Sequence, residues 1–243
     1  MTVDAAALLA PLAAVPDAAA LIFDVDGTLA PIVARPELAQ VPPATRAELA
    51  RLAARYAKVA CLSGRAGEDA ARLVGVPGIE TIGNHGLELL PNAVALTGAV
   101  SAFRQVIGNR WPVEDKGLTL SLHFREAPDE EAAVAALAPI AEEAHRAGLD
   151  ARWGRKVLEI RPRASADKGT AVRLLLERSR AQLGLYAGDD TTDLDAFRGL
   201  REASLERAVA IGVASNEAAP ALLESADLVV EGPEGLLGVL RLL

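Results

Sequence analysis

The 243-residue chain is 51% hydrophobic, which is enough to bury a sizeable core in one large domain or two small ones. Its net charge of −8 and aromatic content of 3% exclude a basic footprint for nucleic acid or an anionic membrane, and leave few base-stacking side chains. With Cys61 as its single cysteine, the chain can form no internal disulfide. Residues 4–14 have a helical pattern, too short and alanine-rich for a membrane span. No basic segment precedes an apolar stretch, so a soluble, cytoplasmic protein is expected.

Residues 21–29 read Leu-Ile-Phe-Asp-Val-Asp-Gly-Thr-Leu. The apolar run predicts a buried strand, and it ends in Asp24 and Asp26. In open α/β sheets ligands bind beyond the carboxyl ends of strands, and the break at Gly27 lets both carboxylates approach one ligand. Two such carboxylates raise each other's pKa unless a cation relieves them, and a divalent metal is the simplest relief. A calcium loop is excluded, because the twelfth residue from Asp24 is Arg35 rather than a glutamate. An ordinary turn needs no buried strand in front of it.

A helix is predicted over 45–56, a strand over 58–62, a helix over 67–74 and a short strand over 81–83. Strand alternating with helix implies a parallel, doubly wound sheet. The middle differs. Residues 118–124 alternate with period two, 130–147 form a long helix broken at Pro139, and 157–160 form a strand ended by Pro162. From Lys168 the buried-strand pattern resumes: helix 168–180, strand 183–187, helix 193–201, strand 208–213, helix 216–225, strand 227–230. A core of 1–86 plus 164–243 is thus interrupted by an α+β insert over 87–163.

Several residues fit this frame chemically. Lys168 stands just inside a helix N-terminus, where a cation opposes the helix dipole and a phosphate would explain it. Asp189, Asp190 and Asp193 place three acids in five residues after an apolar strand. Oxygen ligands of that kind suit magnesium, with a helix-capping cluster as the bland alternative. Ser63 ends a strand, either as a phosphate ligand or as the N-cap of the next helix. Arg65 reaches substrate or forms a salt bridge. Cys61, inside a strand, reads as core.

Asp-Val-Asp-Gly-Thr-Leu at 24–29 resembles the first motif of the haloacid dehalogenase (HAD) superfamily of phosphatases. Ser63-Gly64-Arg65, Asp167-Lys168-Gly169 and Gly188-Asp189-Asp190-Thr191-Thr192-Asp193 resemble the second, third and fourth motifs, in order. The resemblance implies a Rossmann-like HAD core with a large inserted (C2-type) cap. It implies Asp24 as nucleophile, Asp26 as general acid and base, and Ser63, Gly64 and Lys168 as the phosphate site. Magnesium would be bound by Asp24, the Asp26 carbonyl and Asp189, with Asp190 and Asp193 around it. Gly83-Asn84-His85-Gly86-Leu87-Glu88 is similar to a stretch of trehalose-6-phosphate phosphatases, as are 188–197, Glu114-x-Lys116, His123-x-Arg125 and 156–162. Leu194 departs from that pattern, at a peripheral position where an acid is common.

The family implies a sugar phosphate as substrate, recognised by Arg65, Asn84, His85, Glu114, Lys116, Arg125 and Glu159. It also implies cap closure to exclude water, a functional link to a trehalose-6-phosphate synthase, and a monomer. Phosphatases of glucosylglycerol phosphate, mannosylglycerate phosphate or sucrose phosphate share the core and remain alternatives. A phosphomutase would need a second basic cluster in the insert. A catalytically inactive sugar-phosphate sensor would not need both Asp24 and Asp26.

Overall fold

The computed structural model describes residues 4–33, 35–154, 156–163, 166–215 and 218–243. Its contacts divide the chain into two compact units, Met1–Gly86 with Ala166–Leu243, and Leu87–Ser165.

In the first unit, strand β1 (Ala19–Asp24) is buried at every residue. Its residues are small or apolar on both faces, as a strand covered from both sides requires. Parallel neighbours bond to both its edges: β2 (Lys58–Leu62) on one, β8 (Leu183–Gly188) on the other. Beyond β2 lies β3 (Glu80–Ile82), and beyond β8 lie β9 (Arg207–Ala214) and β10 (Leu228–Glu231). Every neighbouring pair is parallel. The chain therefore leaves β1 in one direction to build β2 and β3, then returns to its other edge for β8, β9 and β10. The order reverses between β1 and β8, and in such sheets ligands bind at that switch point.

Helices cover both faces. Leu21, Phe23 and Leu185 pack with Leu9 and Leu12 of α1 (Ala5–Ala14), Leu49 and Leu52 of α2 (Pro43–Ala53), and Leu236 and Leu240 of α9 (Gly232–Leu240). On the other side α6 (Lys168–Ser179) meets β1 and β2, while α7 (Asp193–Glu202) meets β8 and β9. Helix α3 (Gly67–Val74) follows β2, and α8 (Pro220–Ser225) packs on β9. The first two residues of the helix expected over 216–225 lie outside the described residues. No helix among the described residues is long and apolar enough to cross a membrane.

The second unit is built on a four-stranded antiparallel sheet with order β4-β5-β7-β6, namely Glu114–Asp115, Leu120–His123, Val157–Pro162 and Leu149–Gly154. Leu120, Leu122, Leu158 and Ile160 form a core with Phe103 and Ile107 of α4 (Ala93–Ile107) and Leu137 and Ile140 of α5 (Glu130–Arg146). The alternate residues make a polar face. Pairing sets Glu114 opposite Ser121, Ser121 opposite Glu159, and Glu159 opposite Arg152, one row across all four strands. Contrary to expectation, Pro139 does not break α5. It lies on the exposed side, where water can take the carbonyl that a proline leaves without an N–H partner.

Candidate active site

Asp24 ends β1 and is almost fully buried. Lys168 starts α6, whose N-cap, Asp167, accepts a bond from the Thr170 N–H at 2.8 Å. The Lys168 Nζ lies 2.5 Å from Asp24 Oδ1 and 2.6 Å from Asp193 Oδ1. It binds carboxylates as well as suiting a phosphate, which further answers why a lysine stands against the dipole.

Asp193 is fully buried and uses both oxygens twice. Oδ1 also accepts from the Tyr186 hydroxyl at 2.6 Å, and Oδ2 accepts the backbone N–H groups of Asp189 (3.0 Å) and Asp190 (2.9 Å). The Thr28 hydroxyl donates to Asp189 Oδ1 at 3.0 Å, so it orders that carboxylate. The glycines make room for this packing. A Cβ on Gly27, whose φ is +91°, would fall 2.1 Å from Asp189 Oδ2. One on Gly188 would fall 2.3 Å from Asp193 Cγ, and one on Gly199 would fall 2.2 Å from the Gly169 carbonyl oxygen, where α7 crosses α6.

One oxygen from each of Asp24, Asp189 and Asp193 lies within 4.8 Å of the others. Three carboxylates face one ammonium, an excess of two negative charges if all are ionised. Burial pushes the Asp24 carboxyl well above its ordinary range, against the pull of Lys168 and with a further push from Asp193 and Asp189. Asp189 is pushed up to about 7, again by burial first and then by Asp193. Burial works against the Lys168 ammonium, but Asp193 and Asp24 outweigh it and hold it charged. A hard divalent cation suits this oxygen set and its surplus charge. Because Asp193 is spent on four hydrogen bonds, Asp24 and Asp189 are the carboxylates with capacity for it.

The other expected residues divide clearly. The Asp26 carboxylate stands outside the cluster and is gripped by Arg65, with Nε to Oδ2 and Nη2 to Oδ1 both at 2.7 Å. Asp190 is exposed, and its Oδ1 accepts the Thr191 N–H at 2.6 Å. Ser63 is buried, and its Oγ accepts the Arg65 N–H at 3.1 Å. It does not cap α3, whose N-cap is Ala66. Backbone bonds from the Asn84 N–H to the Arg65 carbonyl (2.7 Å) and from the His85 N–H to the Ser63 carbonyl (2.9 Å) join two loops at the sheet edge. Asn84, His85 and Gly86 have φ of +52°, +53° and +95°, a left-handed run that two non-glycine residues hold only under constraint. Gly64 lies close beneath it: a Cβ there would fall 2.7 Å from the His85 ring, so the ring would have to shift.

In the second unit, Glu114 Oε2 lies 2.8 Å from His123 Nε2 and 3.6 Å from Lys116 Nζ. Glu159 Oε1 lies 3.8 Å from Arg161 Nη1, and Arg161 is buried. Lys156 pairs with Glu130 at 3.1 Å, and Arg125 is exposed. Tyr186, which bonds to Asp193, was not singled out from the sequence, and His123 entered only through the His123-x-Arg125 stretch. Tyr186 gave a signal, since a tyrosine in a buried strand must find a partner for its hydroxyl.

A profile of the trehalose-phosphatase family matches residues 22–101 and 109–229. A trehalose-phosphate phosphatase from Mycobacterium tuberculosis (strain ATCC 25618 / H37Rv) is 38% identical over 200 residues, covering 73% of this chain and 50% of the relative. One from Mycobacterium avium (strain 104) is 37% identical over 202 residues, covering 75% and 51%. This chain thus spans about half the length of these relatives. Among solved structures, the C-terminal domain of the C. albicans trehalose-6-phosphate phosphatase superposes with a TM-score of 0.74 at 20% identity, covering 99% of this chain and 97% of that one. At that identity the likeness shows the fold alone, a parallel α/β unit with an inserted α+β unit.

Proposed function

We propose that this chain, which belongs to the trehalose-phosphatase family, hydrolyses trehalose 6-phosphate to trehalose and phosphate. The observation that carries this reading is the Lys168 ammonium shared between Asp24 and Asp193 beside Asp189, at the switch point of the sheet.

With Lys168 on Oδ1 of Asp24, attack falls to Oδ2. That oxygen bonds to phosphorus, the bond from phosphorus to the sugar oxygen breaks, and Asp26 gives a proton to the departing oxygen. Water then attacks the phosphorus of the aspartyl-phosphate, Asp26 takes its proton, and the Asp24 carboxylate leaves. Asp26 can serve only when Arg65 yields at least one of its two contacts, and the incoming phosphate is an anion that competes for the same guanidinium. Ser63 and the N–H groups around Gly64 hold the phosphate oxygens, while Asn84 and His85 line the same edge. A magnesium ion held by Asp24, Asp189 and the Asp26 carbonyl would neutralise charge on the transferring phosphoryl group. Glu114, Lys116, Glu159 and Arg125 of the inserted unit bind sugar hydroxyls, which need donors and acceptors rather than an apolar pocket. The substrate is the product of a trehalose-6-phosphate synthase, so such an enzyme is the functional partner.

Phosphate release from a panel of sugar phosphates, with magnesium or EDTA, tests this in wild type and Asp24→Asn. Preference for trehalose 6-phosphate, abolished by EDTA and by the substitution, is expected. Preference for another ester would overturn the sugar assignment, and release by Asp24→Asn would overturn the nucleophile.

A further inference from the structure

We infer that His123 is a positioning residue for sugar recognition: its imidazole fixes the Glu114 carboxylate in the orientation that accepts a substrate hydroxyl. The inference rests on the reading of Glu114 as a sugar-binding group.

Glu114 belongs to a two-residue strand at the edge of its sheet, and its side chain is 39% exposed. A glutamate in such a place has freely rotating torsions, and a sugar hydroxyl must then bear the entropy of ordering them. Two neighbours remove that freedom here, and both act on one oxygen. His123 Nε2 lies 2.8 Å from Oε2 and Lys116 Nζ lies 3.6 Å from it. With both contacts on Oε2, Oε1 is the oxygen offered to the substrate hydroxyl on this reading.

His123 is itself well held. Pairing of Glu114 with Ser121 puts His123 on the diagonal two residues further along β5, on the same polar face and within reach of a long side chain. On the other side it pairs with Val157, and its carbonyl accepts the Trp111 indole N–H at 2.9 Å. The backbone of His123 is thus held, and its half-exposed imidazole meets Glu114, a carboxylate that can only accept, so Nε2 is the donor. Electrostatics agree. Burial alone would raise the Glu114 carboxyl, yet the His123 hydrogen bond and then the Lys116 charge outweigh it and hold the group below its ordinary range. A carboxylate kept ionised is the acceptor that a polyol needs.

The bland alternative is an exposed cross-strand pair that steadies the sheet edge. Such pairs contribute little to stability and nothing to affinity. Steady-state kinetics with trehalose 6-phosphate separate the two, using wild type, His123→Ala, His123→Gln, Glu114→Gln and the double variant His123→Ala/Glu114→Gln. Melting temperature is measured alongside. KM should rise about three- to tenfold in His123→Ala, the range of one modest hydrogen bond, with kcat little changed. His123→Gln, which keeps a donor, should recover most of the loss. The double variant should be no worse than Glu114→Gln alone, since His123 acts through Glu114. Three results would overturn the inference while leaving Glu114 as a sugar ligand. They are unchanged KM in His123→Ala with raised KM in Glu114→Gln, a change confined to the melting temperature, or additive effects in the double variant. Unchanged KM in Glu114→Gln would instead sink the underlying reading, and the inference with it.

Discussion

Asp193→Asn tests how the site is held together. The carboxylate accepts four hydrogen bonds in a fully buried place, two on each oxygen. An asparagine is nearly isosteric but offers one acceptor and one donor. If its NH2 faces the Asp189 and Asp190 amides, a buried and a part-buried donor lose their partner, at about 1–3 kcal/mol for the buried one and less for the other. If it faces Lys168 and Tyr186, the ammonium keeps Asp24 but loses its second carboxylate, and breaking a buried pair costs about 3–5 kcal/mol. Removing one of three crowded carboxylates relieves repulsion and offsets part of either loss. The net expectation is about 2–4 kcal/mol of lost stability, or roughly 5–15 °C in melting temperature for a chain of this size. Denaturant titration with magnesium absent gives the first number, and thermal melting gives the second. Phosphate release should also fall sharply, because Lys168 and the 189–190 backbone both lose their anchor. A variant within about 1 kcal/mol of wild type that keeps full turnover would refute the assignment of Asp193 as the anchor.

Gly27→Ala should lose magnesium-dependent turnover and about 1–3 kcal/mol of stability, because a Cβ there would fall 2.1 Å from Asp189 Oδ2 at a φ of +91°. Calorimetric magnesium binding by the folded variant would report displacement of Asp189 directly, and wild-type affinity would contradict it. The metal-free protein should also depend on pH. The Asp189 carboxyl is raised from an ordinary 3.8 to about 7, so the folded state keeps a proton that the unfolded state releases between those values. This contribution to stability is therefore fully present below about 4 and is lost as pH rises through 7, by on the order of a few kcal/mol, with Asp24 acting in the same direction. Urea midpoints at pH 5 and pH 8 should show this fall, and saturating magnesium should reduce it. A metal-free protein that gains stability over that interval would contradict the picture.

The core was readable because its physics is local. Each buried strand announces itself as an apolar run, and the buried acids and lysine of the site sit where a run ends or a helix starts. Asp24, Lys168 and Asp189 are thus legible in the sequence alone. Pairing within the site was less legible. Whether Arg65 meets substrate or Asp26 depends on contacts 39 residues apart in sequence, which no spacing encodes. Asp193 looked like a metal ligand or a helix cap and proved to be the hub of four hydrogen bonds. The inserted unit hid most. Helix α4 contains Thr97, Gly98 and Ser101, weak helix formers whose packing residues Val100, Phe103 and Ile107 carry the only periodic signal. Strand β6 mixes Asp150 and Arg152 with Gly154, a pattern that an edge position tolerates. Helix α9 has Gly232, Gly235 and Gly238, and forms because Leu236, Val239 and Leu240 bury against the core.

The central claim is that Asp24 carries the phosphoryl group. Rapid acid quench during turnover of trehalose 6-phosphate, followed by mass spectrometry of the peptide containing Asp24, tests it most directly. A phosphate adduct on Asp24 that forms before free phosphate reaches its steady rate, and is missing in Asp24→Asn, is the expected result. Full turnover with no adduct at any quench time, and the same phosphate release from Asp24→Asn, would contradict the account.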